Sequence, residues 1–134
     1  MPTTPSTWTD TKSDAWIGLL ETHKFLTRAL ESALEARHGL SLSSVETLGR
    51  LAAAGERRMG LSALAAATGL SLSRMSRIVD FLEQRGLVER RPAPDDARAV
   101  EAHLTDAGLA LARAAHATHA EGIQRLFFDH LSAD

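Results

Sequence analysis

A mainly α fold with one small β-hairpin is predicted by three features of this sequence. Apolar residues recur at helical spacing through both ends of the chain. Between them, residues 61–84 read as two short helices broken by Thr68-Gly69, and residues 87–104 hold two short apolar runs around a tip rich in proline and aspartate. A helix, a glycine turn, a second helix faced with serine and arginine, and then a hairpin is the layout of a winged helix-turn-helix, here flanked by two long helices. Such a module reads double-stranded DNA, with its second helix in the major groove.

Each element has its own justification. Residues 1–12, MPTTPSTWTDTK, are expected to be a flexible tail, without the basic and apolar regions of a signal peptide. From Ser13 or Asp14 onward, Trp16, Leu19, Leu20, His23, Leu26, Leu30 and Leu34 share one stripe of a helix over 13–38, which Gly39 ends. A shorter helix over 43–54 turns Val45, Leu48 and Leu51 inward, and residues 55–60 form a basic loop. Leu61, Leu64 and Ala65 belong to a helix that stops near Ala67, because Gly69 takes the left-handed conformation that turns the chain out. Ser71 is placed to cap the next helix, whose core stripe is Leu72, Met75, Val79 and Leu82. On the opposite arc lie Ser73, Ser76, Arg77, Asp80 and Gln84, with Arg74 on the shoulder. Gly86 closes this helix, and Leu87-Val88-Glu89-Arg90 is a strand.

Residues 92–97 should be the hairpin tip, since two prolines remove donors and the aspartates favour turns. Residues 99–104 then return as a strand. Thr105 and Asp106 open the last helix, a hydroxyl cap followed by a carboxylate at the positive end of the dipole. Its stripe is Leu109, Ala112, His116, His119, Ile123, Leu126 and Phe127. Both terminal helices carry more apolar face than the small lobe between them covers, and pairing with a second subunit would cover it.

With 134 residues the chain is one domain, 13–134, of terminal helices 13–38 and 105–134 around a winged lobe at 43–104. No apolar run is long enough to cross a bilayer, so no membrane partner is expected and the location is expected to be cytoplasmic. The absence of cysteine excludes disulfides and thiol-based redox sensing. A net charge of −2 is unusual for a DNA binder until it is divided along the chain. Residues 1–49 hold 4 basic and 6 acidic side chains, residues 50–98 hold 9 and 6, and residues 99–134 hold 2 and 5. The balances are −2, +3 and −3, so the positive excess falls on the lobe.

Five motifs in order give the chain a resemblance to the multiple antibiotic resistance regulator (MarR) family. They are Gly69-Leu70-Ser71; Ser76-Arg77; Leu82-Glu83-Gln84-Arg85-Gly86-Leu87-Val88-Glu89-Arg90; Asp96-Ala97-Arg98; and Leu104-Thr105-Asp106-Ala107-Gly108. The resemblance implies a homodimer built from the terminal helices, placing two recognition helices in successive major grooves of a pseudo-palindromic operator, about 34 Å apart. It also implies a regulator, generally a repressor, that responds to a small aromatic or phenolic effector held between the dimer helices and the lobe. Where family members go on into another helix, this sequence ends at Leu131-Ser132-Ala133-Asp134, which itself has the form of a helix start. The N-terminal helix is therefore expected to carry more of the dimer contact.

The candidate DNA-reading residues are Ser71, Ser73, Arg74, Ser76 and Arg77, of which Arg77 with Ser73 and Ser76 should meet base edges and Arg74 phosphate. In the wing, the resemblance implies that Arg98 enters the minor groove with Asp96 holding its guanidinium by a bidentate salt bridge. Arg85, Arg90 and Arg91 are either DNA-backbone contacts or internal salt bridges. Trp16 and His23 are the candidates for an effector pocket. His116 and His119 are expected to be hydrogen-bonded at a helix interface; the alternative is a metal-responsive regulator with histidine ligands. No metal, cofactor or catalytic residue is expected, because the sequence has no cysteine nucleophile, phosphate-binding glycine loop, HExxH or identifiable carboxylate pair. A second alternative is a winged-helix module that binds protein, favoured if Arg74, Arg77 and Arg98 are engaged within the fold.

Overall fold

The Thr9 hydroxyl accepts a hydrogen bond from the Lys12 amide, and this cap starts the first helix, α1 (Asp10–His38), three residues before the expected Ser13. The structure, a computed structural model, describes residues 9–131. Of the expected tail 1–12, residues 10–12 are thus the first turn of α1, and residues 1–8 lie outside the described residues. Gly39, at φ 66°, ends α1 as its sequence position requires.

Next comes α2 (Leu42–Ala53), capped by the Ser41 hydroxyl on the Ser44 amide. The expected basic loop at 55–60 is instead a 3-10 turn, Gly55–Arg57, followed by a strand, β1 (Arg58–Gly60). Three residues are too few to show an alternating pattern, so this strand has no signature in the sequence. The helix-turn-helix follows as α3 (Leu61–Thr68), Gly69 at φ 70°, and α4 (Leu72–Gln84), with the Ser71 hydroxyl accepting from the Arg74 amide.

The wing is longer than expected. Strands β2 (Val88–Ala93) and β3 (Asp96–Leu104) pair antiparallel with Val88 opposite Leu104, and β1 joins the other side of β3 with Arg58 opposite His103. The order is β1-β3-β2. Pro92, expected in the tip, sits inside β2 opposite Val100, which a proline tolerates because β2 is an edge strand and needs no donor on its open side. The register shifts between Pro92 and Ala93, leaving only Pro94 and Asp95 as the turn.

The last helix, α5 (Asp106–Leu126), is capped by Thr105, whose hydroxyl accepts from the Gly108 amide and donates to the Gly86 carbonyl. One threonine so joins the end of the recognition-helix segment to the start of α5. Gly108 lies against the Leu87 backbone: a Cβ there would be 2.7 Å from Leu104 Cδ1 and closer still to the Leu87 carbonyl oxygen. A 3-10 turn, Phe128–His130, follows, and the end of the expected terminal helix, residues 132–134, lies outside the described residues.

The core gathers Leu34 and Leu40 with Leu48 and Leu51 of α2, Leu64 of α3, Met75, Val79 and Leu82 of α4, and Val88 and Ala102 of the sheet. Each large member removed from water stabilises the fold by roughly 1.5–3 kcal/mol. Two expected stripes need correction. Leu72 is 52% exposed, because the first turn of α4 projects past the helices that cover Met75, Val79 and Leu82. On α5 the buried positions are Gly108, Ala112, Ala115, Thr118 and Gly122, small residues that let the helix approach α1 and α2 closely, while His116 and Phe127 face outward.

The α1 stripe divides in two. Leu34 is buried and Leu26 and Leu30 are half-buried, whereas Trp16, Leu19 and Leu20 on the same stripe stand exposed. Leu30 meets Gly122 near the end of α5, so the turns of α1 before it extend past their cover.

Candidate nucleic-acid interface

The helix-turn-helix presents the N-terminal turns of α4 as a free surface. Ser71, Ser73, Arg74 and Arg77 are all exposed, on the arc away from Met75, Val79 and Leu82. Ser76 is half-buried, and its hydroxyl and carbonyl accept from Arg90 Nη2 at 3.2 and 2.9 Å. Of the expected contacts, Ser76 is therefore engaged within the fold.

The arginines of the lobe separate into two sets. The sequence places nine between residues 50 and 98. Six are occupied: Arg50 by Glu46, Arg57 by Asp106, Arg58 by Glu56 and Glu101, Arg91 by Glu89, Arg90 by Asp80 and Glu83, and Arg85 by backbone carbonyls. Among the described residues the guanidiniums of the other three, Arg74, Arg77 and Arg98, have no ion-pair or hydrogen-bond partner. An arginine held by carboxylates has its charge neutralised locally, whereas the charges of these three are open to solvent.

Arg90 and Arg85, left between two roles by the sequence, are both internal. Arg90 reaches from β2 to α4, where Asp80 and Glu83 pair with its guanidinium and Glu83 Oε2 accepts its amide at 2.9 Å. The wing is thereby fastened to the recognition helix. Arg85 donates to the carbonyls of His38 at 3.1 Å and Gly39 at 3.0 Å, at the negative end of α1, with its guanidinium 5.6 Å from the Phe81 ring centre. That contact ties the far end of α4 to α1.

The wing departs from the expected salt bridge. Asp96 Oδ1 accepts from the Arg98 backbone amide at 2.9 Å, and among the described residues no ion pair joins the two side chains. The cause is the tight turn: Asp96 opens β3 directly after Pro94-Asp95, and its short side chain satisfies the backbone two residues on. Asp96 thus shapes the strand, and Arg98 extends freely from it.

The remaining candidates lie apart. Trp16 is half exposed on α1, and His23 lines a shallow groove of about 270 Å³ formed by α1 alone, with Lys24, Thr27, Arg28 and Glu31. The cleft that joins the helical frame to the lobe is elsewhere: about 500 Å³ between α4 and the junction of α1 and α2, lined by Arg74, Arg77, Ile78 and Phe81 on one side and by Glu35, Ser41 and Ser44 on the other. Sequence spacing could not show it, because its two walls meet only through tertiary packing.

His116 and His119 share α5, but no group of three His, Asp or Glu able to hold a metal is found among the described residues. His119 is half-buried, with Nδ1 shut from solvent and unpaired among the described residues. Burial, and then the neighbouring His116, push its pKa below the ordinary 6.5. The hydrogen-bonded histidine at a helix interface is instead His38, whose Nε2 lies 2.7 Å from Thr118 Oγ1.

Comparison with known proteins supplies the family. A sequence model of the MarR family matches residues 38–99. No curated protein sequence matches significantly. Among solved structures, Sco3205, a MarR family transcriptional regulator from Streptomyces coelicolor in complex with DNA, is 28% identical, with 97% of this chain and 81% of that one covered at a TM-score of 0.90. CouR from Rhodococcus jostii RHA1, bound to p-coumaroyl-CoA, is 29% identical over 89% of this chain and 81% of that one, at a TM-score of 0.75. AbsC, a MarR family transcriptional regulator from Streptomyces coelicolor, is 35% identical over 96% of this chain and 86% of its own, at a TM-score of 0.88. Most of this chain's length, from α1 through the wing to α5, is thus similar to these proteins, and the chain belongs to the MarR family of transcriptional regulators.

Proposed function

We propose that this protein is a ligand-responsive repressor that binds a pseudo-palindromic operator as a homodimer in the cytoplasm. The observation that carries the DNA-reading half of this proposal is the division of arginines. Arg74, Arg77 and Arg98 keep unpaired guanidiniums on the recognition helix and the wing, while their neighbours are held by acceptors of the fold. Engagement of those three within the fold would favour a protein-binding module, and among the described residues they are not engaged. Arg77 and Ser73 are assigned to base edges, Arg74 to phosphate, and Arg98 to the minor groove. The Ser71-capped start of α4 adds the positive end of its dipole toward the phosphates. The bound DNA of Sco3205 supports this reading.

The exposed half of the α1 stripe supports the homodimer. Trp16, Leu19 and Leu20, with Phe127, Phe128 and Leu131 at the other end of the chain, form apolar surfaces that a second copy would cover. The effector is assigned to the cleft beside α4, where Ile78 and Phe81 offer an apolar wall and Arg74 and Arg77 a cationic one, suited to a small aromatic or phenolic acid. A ligand there would draw both cations away from DNA and lower operator affinity. CouR, which holds an aromatic acyl-CoA, supports ligand response in the fold.

Selection of random duplexes with the purified protein tests the proposal. The expected product is a symmetric motif whose half-sites are about one helical turn, or 34 Å, apart. Recovery of no enriched sequence would sink operator reading, and binding to random duplex that is insensitive to salt would remove DNA binding altogether.

A further inference from the structure

The apolar side chain at the tip of the recognition helix is left unexplained by the core and by the charged contacts alike. We propose that Leu72 is a specificity-determining residue that reads the 5-methyl group of a thymine in each half-site; this rests on the DNA-reading function above. Three residues before Met75, Leu72 continues the line of Met75, Val79 and Leu82, which are fully buried, yet it is 52% exposed. Most of the other large exposed apolar residues lie on α1 or at the end of the chain, where a second subunit would cover them. Leu72 lies on neither.

A single exposed leucine is ordinary on a protein surface, so its position decides the matter. It is the first residue of α4, directly after the Ser71 cap and directly before the exposed Ser73 and Arg74. Side chains of a helix lean toward its N-terminus, so a first-turn leucine projects beyond the end of the helix, the end that enters the major groove. At 100° per residue it lies 40° from Ser76 and 100° from Ser73, between the buried stripe and the polar arc. The hydroxyl and guanidinium groups around it recognise donors and acceptors, which leaves the one apolar feature of the major groove, the thymine methyl, as its complement. A serine or arginine in its place would gain nothing from that methyl.

The experiment uses the operator recovered by duplex selection. Each thymine is replaced in turn by deoxyuridine, which removes the methyl and keeps every hydrogen-bonding edge, and affinity is measured for the parent and for Leu72→Ala. At one thymine per half-site, methyl removal should weaken the parent about fourfold, the value of one buried carbon. The same replacement should leave Leu72→Ala unchanged within about twofold, and Leu72→Ala should bind random duplex as the parent does and melt at the parent's temperature, since its side chain is outside the core. A selected half-site without thymine, parent affinity indifferent to every methyl, or a uridine penalty undiminished in Leu72→Ala would each overturn the assignment of Leu72 while leaving the DNA-reading function in place. Failure of the parent to enrich any duplex would overturn both.

Discussion

Arg77 is the residue on which direct base reading rests, since its guanidinium is unpaired among the described residues and its helix face is open. Arg77→Ala should weaken operator binding by about 1–3 kcal/mol and leave the melting temperature unchanged, measured by titration and thermal unfolding. An equal loss on operator and random duplex would reduce Arg77 to a phosphate contact. In the wing, the carboxylate of Asp96 serves the Arg98 amide, which gives a different expectation from a side-chain salt bridge. Asp96→Asn keeps an oxygen that accepts from that amide and removes a negative charge near DNA, so its operator affinity should equal or exceed the parent's. Arg98→Ala should lower affinity most on operators with A·T-rich flanks and reduce the salt slope by about one phosphate. An Asp96→Asn affinity as low as that of Arg98→Ala would show that charge pairing, and so a salt bridge, matters after all.

At the scale of elements, the recognition helix is held from three sides. Met75, Val79 and Leu82 seat it on the core, Arg90 fastens it to β2, and Arg85 fastens its end to α1. Leu82→Ala should destabilise the fold by about 2–5 kcal/mol through the cavity it leaves; an unchanged denaturation midpoint would mean that the helix is seated otherwise. The start of α5 makes a converse claim. Gly108 faces the Leu87 backbone, which has no rotamer by which to yield, so Gly108→Ala should cost about 1–3 kcal/mol despite alanine's better helix propensity. Gly122 faces only the end of the Leu30 side chain, and Gly122→Ala should cost less. Reversal of that order in chemical denaturation would contradict the packing at the wing–helix junction.

For the whole molecule, one contribution to pH-dependent stability comes from α5. Because burial and then His116 lower the folded pKa of His119, the unfolded chain takes up that proton first as pH falls. Stability from this site is therefore intact above the ordinary value of 6.5, declines as pH falls from there toward the lowered folded value, and levels off once the folded form is protonated too. Thermal unfolding followed downward from pH 8 should show this decline, and His119→Gln should show a shallower one. Identical slopes for the two proteins would remove His119 from the balance. The charge distribution works at the same scale, since the chain is acidic in total while its excess of cations is confined to the lobe that carries Arg74, Arg77 and Arg98.

Much of this was legible in the order of residues alone. Gly69, Ser71, Gly86 and Thr105 mark turns and caps by local chemistry, and the five motifs in sequence identified the helix-turn-helix, the wing and the family to which the chain belongs. Such signals are local, because a cap or a left-handed glycine acts within one turn of its own position. What required tertiary structure was every contact between residues distant along the chain. The strand Arg58–Gly60 exists because β3 lies beside it, and Pro92 belongs to a strand because that strand is at the edge. Arg90 and Arg77 are both arginines near α4, and nothing in their spacing tells which one meets Asp80 and Glu83 and which stays open. Helical periodicity likewise put Leu72 in the core, since a period describes direction around the axis and carries no information on how far along that axis the neighbouring helices reach.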